Sequence, residues 1–516
     1  MYSIGPAGSS PIRPGLCAWS GRDYPDAIGL RSLLRPLVIV VAALTIAAAC
    51  TAEADDGDGE ASDTATTTTT STSTTEEPDR EDEEDEGAGG GGPPALAPGA
   101  GDDVTPSLTD EEVAERLAEL QGRLAVGNGP ELVVIRPDGA RTIPIDGGEG
   151  SAAGQATWSR DGDRLAWSSL SPAAQEVRIL DFGDDGEPVG EPTAANAEGN
   201  PVFYLQWNGN GERLAYIRNA QVPGRVEVGL AEPGEPVTPL AEGVPFFLSF
   251  APDDRIAGHV GEAELRLHTV ADGPGSGFAT VRPLGGGFSA PAWLDESQVL
   301  VVADGALARV DVTTGATEPL VEVTPPIRFV LSPDRTRVAY QTEGVGGLTL
   351  VGSAVAGPGR SQSITVQDAG TSLVVLDLAS GDRTLVTNTR ASAWEWSPDS
   401  TKLAWLEAST FGRATGVWHF WAADGAPAAE RTPSFGLTRT YGQVYLPFFA
   451  QYAQSVTGWS PDSSAFAFPG SIARERGIWI QLVDEVVAPR LVAPGDIVTW
   501  GPGVPPEPEV SGPSAA

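Results

Sequence analysis

Lysine is almost missing from this chain. Of 32 basic residues only Lys402 is a lysine, and they face 70 Asp and Glu, for a net charge of −38. That balance argues against nucleic acid as a partner, because phosphate backbones need a basic groove. Histidine stops at His259, His268 and His419, and cysteine at Cys17 and Cys50. This is a poor inventory for metal ligation or nucleophile–base pairs, so no metal and no cofactor are expected. No G-x-S-x-G elbow is present, and no α/β pattern follows the β-rich part to host one. Lone histidines on strands are usually packed or solvent-facing. Among 70 acids, paired carboxylates arise by accident. The expectation from these absences is a protein that is not an enzyme.

Long apolar runs are missing too. The longest is Leu37–Ala49, 13 residues broken only by Thr45. That is short for a hydrocarbon core about 30 Å thick. With Arg31 and Arg35 before it, the run fits the apolar region of a secretory signal. It ends Ala47-Ala48-Ala49-Cys50, similar to a bacterial lipobox with Ala47 where Leu is more usual. Cys50 is therefore the expected lipid-attachment residue. The alternatives are an ordinary signal cut near Ala49 or a short anchor. Residues 1–30 look unlike any signal. Residues 51–103 hold 17 acidic residues and one basic, Arg80, with a Thr/Ser tract and a Gly run. Such a composition cannot bury a core, and its like charges repel, so an extended stalk is expected.

What the chain does have is repetition. WSPDS stands at Trp396–Ser400 and again at Trp459–Ser463. Aligned on that aromatic, further units start at Trp158, Trp207, Phe250, Trp293, Leu331 and Trp500, with gaps of 49, 43, 43, 38, 65, 63 and 41 residues. Each unit reads as a short strand ending at the aromatic, a turn, a returning strand and an alternating third strand. Several then show another turn and a fourth strand. Pro presets the turn and Asp bonds the backbone two residues on. Four short antiparallel strands per unit of this length is the grammar of a β-propeller blade. Residues 132–145 read as third and fourth strands with no first or second before them. Asp496–Trp500 reads as a first strand with nothing clear after it. The two ends together can make one composite blade, which removes an open edge.

The expected fold is all-β, a propeller of seven or eight four-stranded blades. The expected division is an N-terminal extension and signal over 1–50, a disordered linker over 51–106, and an amphipathic helix over 107–124. The propeller then occupies 125–503, with a tail over 504–516. The helix rests on a capping box at Thr109–Glu112, with Val113, Leu117, Leu120 and Leu124 at helical spacing.

The WSPD(G/S) units followed by LAW or VAY strands resemble the WD40-like Asp-Pro propeller repeats of the TolB family, over roughly residues 124 to 501. The copies at Trp396 and Trp459 match best; those at Trp293 and Leu331 are degenerate. The resemblance implies a bacterial extracytoplasmic propeller, usually a binding module and sometimes fused to a peptidase. TolB itself carries an N-terminal α/β domain where this chain has its acidic stretch, so the location class carries over and the partners do not.

Trp158, Trp207, Trp293, Trp396 and Trp459 are expected to wedge between blades. Asp161, Asp334, Asp399 and Asp462 are expected to satisfy turn amides. Two units are overlong. Gly344–Gly370 reads as a flexible loop or an extra hairpin. Gly436–Ser455 holds Tyr441, Tyr445, Phe448, Phe449 and Tyr452 within 12 residues. Such a cluster is either a recognition patch or a plug that folds down over the channel. The functional expectation is a lipid-anchored, extracytoplasmic binding or scaffold module. Its partner would be an envelope protein, a peptide or a cell-wall glycan, and its membrane contact the lipid anchor. The alternatives are a hydrolase or lyase using the central channel, and a purely structural surface protein.

Overall fold

The computed structural model describes residues 107–502, apart from 147–151, 171–174, 184, 197–199, 244–245, 261–263, 270–276, 285–288, 324–326, 344–348, 353–361, 366–370, 410–413, 426 and 428. The expected signal segment, Cys50, the expected stalk and residues 503–516 lie outside the described residues.

Six units turn in a similar way after their aromatic position. In the Trp396 unit, Ser397 Oγ donates to Asp399 Oδ1 (2.6 Å), and the same carboxylate accepts from Thr401 N (2.9 Å) and Thr401 Oγ1 (2.8 Å). Asp334 and Asp462 repeat the arrangement. Burial pushes the Asp399 carboxyl up, but these donors outweigh it and hold the group below its ordinary value. The fourth residue past the aromatic is left-handed in six units: Gly162, Gly211, Asp254, Arg335, Ser400 and Ser463 have φ between 62° and 80°. Glycine adopts that conformation freely. Ser400 and Ser463 offset the strain with a hydroxyl that accepts from the Asp334 and Asp399 amides of the preceding unit, at 3.0 and 3.1 Å.

Among the described residues the strands assemble as six four-stranded antiparallel sheets, a two-stranded hairpin and one seven-stranded sheet. The seven-stranded sheet carries two units. Ala393–Trp396, Lys402–Ser409 and Thr415–Ala422 form one; Ala465–Ile472, Glu475–Leu482 and Arg490–Ala493 form the other; Phe435–Gly436 bridges them. The hairpin, Thr349–Gly352 against Gln362–Thr365, lies in the first overlong unit. With both halves of the large sheet counted, the chain is a β-propeller of eight units.

Tryptophan ties neighbouring units together. The indole N–H of Trp207, Trp293, Trp396 and Trp459 donates to the carbonyl of Thr157, Ser249, Val330 and Glu395, at 3.0–3.1 Å. Each acceptor stands immediately before the aromatic position of the preceding unit. The core is accordingly divided into apolar layers between adjacent blades.

The ring closes as one composite sheet. Ile497–Gly501 pairs antiparallel with Arg123–Asn128, Leu124 opposite Trp500, and Glu131–Ile135 and Thr142–Asp146 complete it. The second strand of this blade was not legible in the sequence, which placed Leu124 on the helix. The helix in fact spans Asp110–Glu119, with the expected capping box between Thr109 and Glu112. It stops because Leu120 is extended and Gly122 turns at φ +83°, where any Cβ would lie 2.4 Å from the Gly501 carbonyl oxygen. Val113 and Leu117 bury against Ile135, Ile478 and Trp500, so the helix covers the seam between the last unit and the composite blade. The tryptophan pattern breaks there. Trp500 donates to the Gln121 carbonyl (3.0 Å), and Trp158 Nε1 is buried with no partner among the described residues. The Arg123 guanidinium covers the Trp158 and Phe182 rings instead, 5.5 and 4.8 Å from their centroids.

Candidate functional site: a plugged channel

The first strand of each blade runs toward the Pro–Asp turns, so those turns share one face of the ring and the strand starts share the other. The second overlong segment enters the channel between these faces. Tyr441–Tyr445 forms a π-helical turn, Leu446–Phe448 a 3-10 turn and Phe449–Tyr452 an α-turn. These short turns project alternate rings toward the blades.

Of the five aromatics, Tyr441, Phe449 and Tyr452 are buried, and Tyr445 and Phe448 are partly covered. They do not form an exposed patch. Burying large rings removes more apolar surface from water than leaving them on a loop. Phe449 packs on Trp394 with centroids 4.4 Å apart. Tyr445 stacks between Tyr441 and Tyr452, at 4.8 and 5.1 Å. Tyr452 meets the edge of Tyr204 and donates to the Phe203 carbonyl (2.8 Å).

Hydrogen bonds fix the plug to blades on both sides of the channel. The Gln451 amide bonds both backbone groups of Leu248: Oε1 accepts from its N–H and Nε2 donates to its C=O, each at 2.9 Å. Tyr204 OH donates to the Gln451 carbonyl (3.0 Å), and Thr157 Oγ1 donates to the Ser455 carbonyl. Gln451→Ala strands two backbone groups of a fully buried residue. It is expected to lower unfolding free energy by about 2–6 kcal/mol in urea titrations, at about 1–3 kcal/mol per orphaned group. A loss under about 0.5 kcal/mol would show that the plug is not a structural bolt.

Across the channel sits Glu395, a residue that sequence reasoning passed over. It is 7% exposed. Gly458 N (2.9 Å), Tyr445 OH (3.1 Å) and Thr457 Oγ1 (3.4 Å) donate to its carboxyl. Burial dominates these donors and pushes its pKa up to about 7. The signal that could have found it is positional. The residue before the repeat aromatic is the penultimate one of the inner strand in this unit, and it is a carboxylic acid between Trp394 and Trp396.

The plug leaves a recess on each face. On the turn face a funnel of about 790 Å³ is ringed by Pro252, Pro333, Pro398, Pro461 and Pro502, with Glu395 and Gln206 in its wall. On the opposite face a recess of about 350 Å³ lies between the plug and the blades next to the seam. Trp158, Trp207, Trp293, Trp396 and Trp459 are buried between blades, and all but Trp293 also line the funnel. His259 and His268 are buried in one sheet, and His419 stacks on Trp405 at 4.0 Å beside Glu407.

These features place the chain among β-propeller proteins. No protein-family model and no curated protein matches its sequence. Solved structures similar to it include TolB from Acinetobacter baumannii, at 10% identity and a TM-score of 0.32, covering 74% of this chain and 67% of that one. An oligogalacturonate lyase in complex with manganese is 10% identical, with a TM-score of 0.40 over 70% and 98% of the two chains. The dihydro-heme d1 dehydrogenase NirN in complex with DHE is 11% identical, with a TM-score of 0.42 over 76% and 78%. At these identities the likeness concerns the fold alone. It corrects one expectation. The protein was expected not to be an enzyme, and enzymes stand among the propellers similar to it.

Proposed function

We propose that the protein is a binding module, held at the outer face of a bacterial cell membrane by a lipid on Cys50. It would present its funnel to an envelope protein, a peptide or a cell-wall glycan. The funnel itself carries this reading. It is a blind recess on a rigid ring, large enough for a short extended segment, and its floor is bolted in place. Little ordering would be lost on binding. Crosslinking in intact cells, followed by mass spectrometry, tests it. Wild type should capture a defined partner. Arg160→Glu changes an exposed funnel residue and should lose that partner, while Cys50→Ala should move the protein out of the membrane fraction. Capture unchanged by Arg160→Glu would remove the funnel from the reading, and membrane retention unchanged by Cys50→Ala would remove the lipid.

Glu395 supports a second reading. A carboxyl that titrates near neutrality in the wall of a recess is suited to general acid–base work. Turnover of a captured glycan or peptide that Glu395→Gln abolishes, with binding retained, would establish it.

A further inference from the structure

The recess on the face opposite the Pro–Asp turns has the composition of a small-molecule site, separate from the funnel. It holds about 350 Å³. Ligand pockets are mostly apolar with a few placed polar groups, and this one fits that description in size and lining. Val202, Phe203 and Val444 supply apolar surface, and Tyr441 and Tyr445 line it from the plug. Small residues on the two blades at the seam, Gly127 and Gly154 among them, line it as well. Any Cβ at Gly127 would lie 2.8 Å from Ile497, and one at Gly154 would lie 2.1 Å from Ser168 Oγ.

Two polar features point to a ligand. Ser168 is 1% exposed, lines the recess, and its Oγ has no hydrogen-bond partner among the described residues. A buried hydroxyl left unpaired costs free energy that a bound polar group would recover. Arg439 also lines the recess. It is exposed, its Nε donates to Gln443 Oε1 (3.0 Å), and no carboxylate pairs with it among the described residues. In a chain with 70 acidic residues, no Asp or Glu among the described residues lines the recess. Among those residues its one charge is the guanidinium.

We propose that this recess binds a small apolar carboxylate: the hydrocarbon body lies against the tyrosine and valine surface, and the carboxylate pairs with Arg439. The guanidinium fork suits a carboxylate in two-point contact.

The test is calorimetric titration of the purified protein with decanoate, and with decanol as the uncharged analogue. Wild type should bind decanoate. Arg439→Gln should weaken decanoate about tenfold or more and leave decanol unchanged, the effect of losing one charge-assisted pair. Arg439→Lys should recover part of the loss. Val444→Trp, which fills the recess, should abolish binding of both probes. Unfolding curves superimposable on wild type confirm that the variants fold. Failure of wild type to bind decanoate at millimolar concentration overturns the proposal. So does equal decanoate affinity in wild type and Arg439→Gln.

Discussion

Trp459→Ala is expected to lower the unfolding free energy by about 3–5 kcal/mol, the range for truncating a fully buried large aromatic. Trp459 is 1% exposed and meets the edges of Phe420 and Phe466, at centroid distances of 5.9 and 5.3 Å. Its indole N–H bonds the Glu395 carbonyl across the blade boundary. Alanine would therefore leave a cavity in the layer shared by the Trp396 and Trp459 blades and remove the indole's hydrogen bond to that carbonyl. Trp459→Phe keeps most of the volume and loses the hydrogen bond, so a smaller loss of about 1–2 kcal/mol is expected. Urea unfolding followed by tryptophan fluorescence and by far-ultraviolet dichroism would measure both. If Trp459→Ala cost under about 1 kcal/mol, the repeat tryptophans would not be what spaces the blades.

Glu395→Gln is expected to alter how stability depends on pH. The folded pKa is about 7, above the ordinary 4.5, because burial disfavours the charge. Between these two values the folded protein keeps a proton that the unfolded chain releases. Stability from this group is thus fully present below about pH 4.5 and is lost as pH rises through 7. A gap of this size corresponds to about 3 kcal/mol, at about 1.4 kcal/mol per pKa unit. Glutamine is neutral throughout. The variant should match wild type near pH 4.5 and exceed it by up to about 3 kcal/mol at pH 8. Denaturant titrations across that range decide the matter. Parallel pH profiles for the two proteins would show that Glu395 carries no such burden.

The plug and its carboxyl were only half legible in advance. Five aromatics in 12 residues marked 441–452 as special, but a recognition patch and a plug have the same composition. The choice depends on whether Trp394, Tyr204 and Leu248 stand within reach, and those residues come from three different blades. Gln451 gave no signal, because its role is to bond one distant backbone. Histidine and cysteine counts gave no view of Glu395, since a carboxyl can be tuned by burial alone.

What the sequence determined by itself was the repeat. An aromatic at a strand end, a Pro–Asp turn and a left-handed residue four positions on are set by local sterics and local hydrogen bonds, so they can be read five residues at a time. The tertiary structure decided the rest. It recruited Arg123–Asn128 to the closing blade and turned the tyrosines into the channel. It raised the pKa of Glu395 and left Trp158 Nε1 and Ser168 Oγ without partners among the described residues. Each of these depends on what a side chain meets from another blade, and burial and pairing across that distance are fixed only when the ring closes.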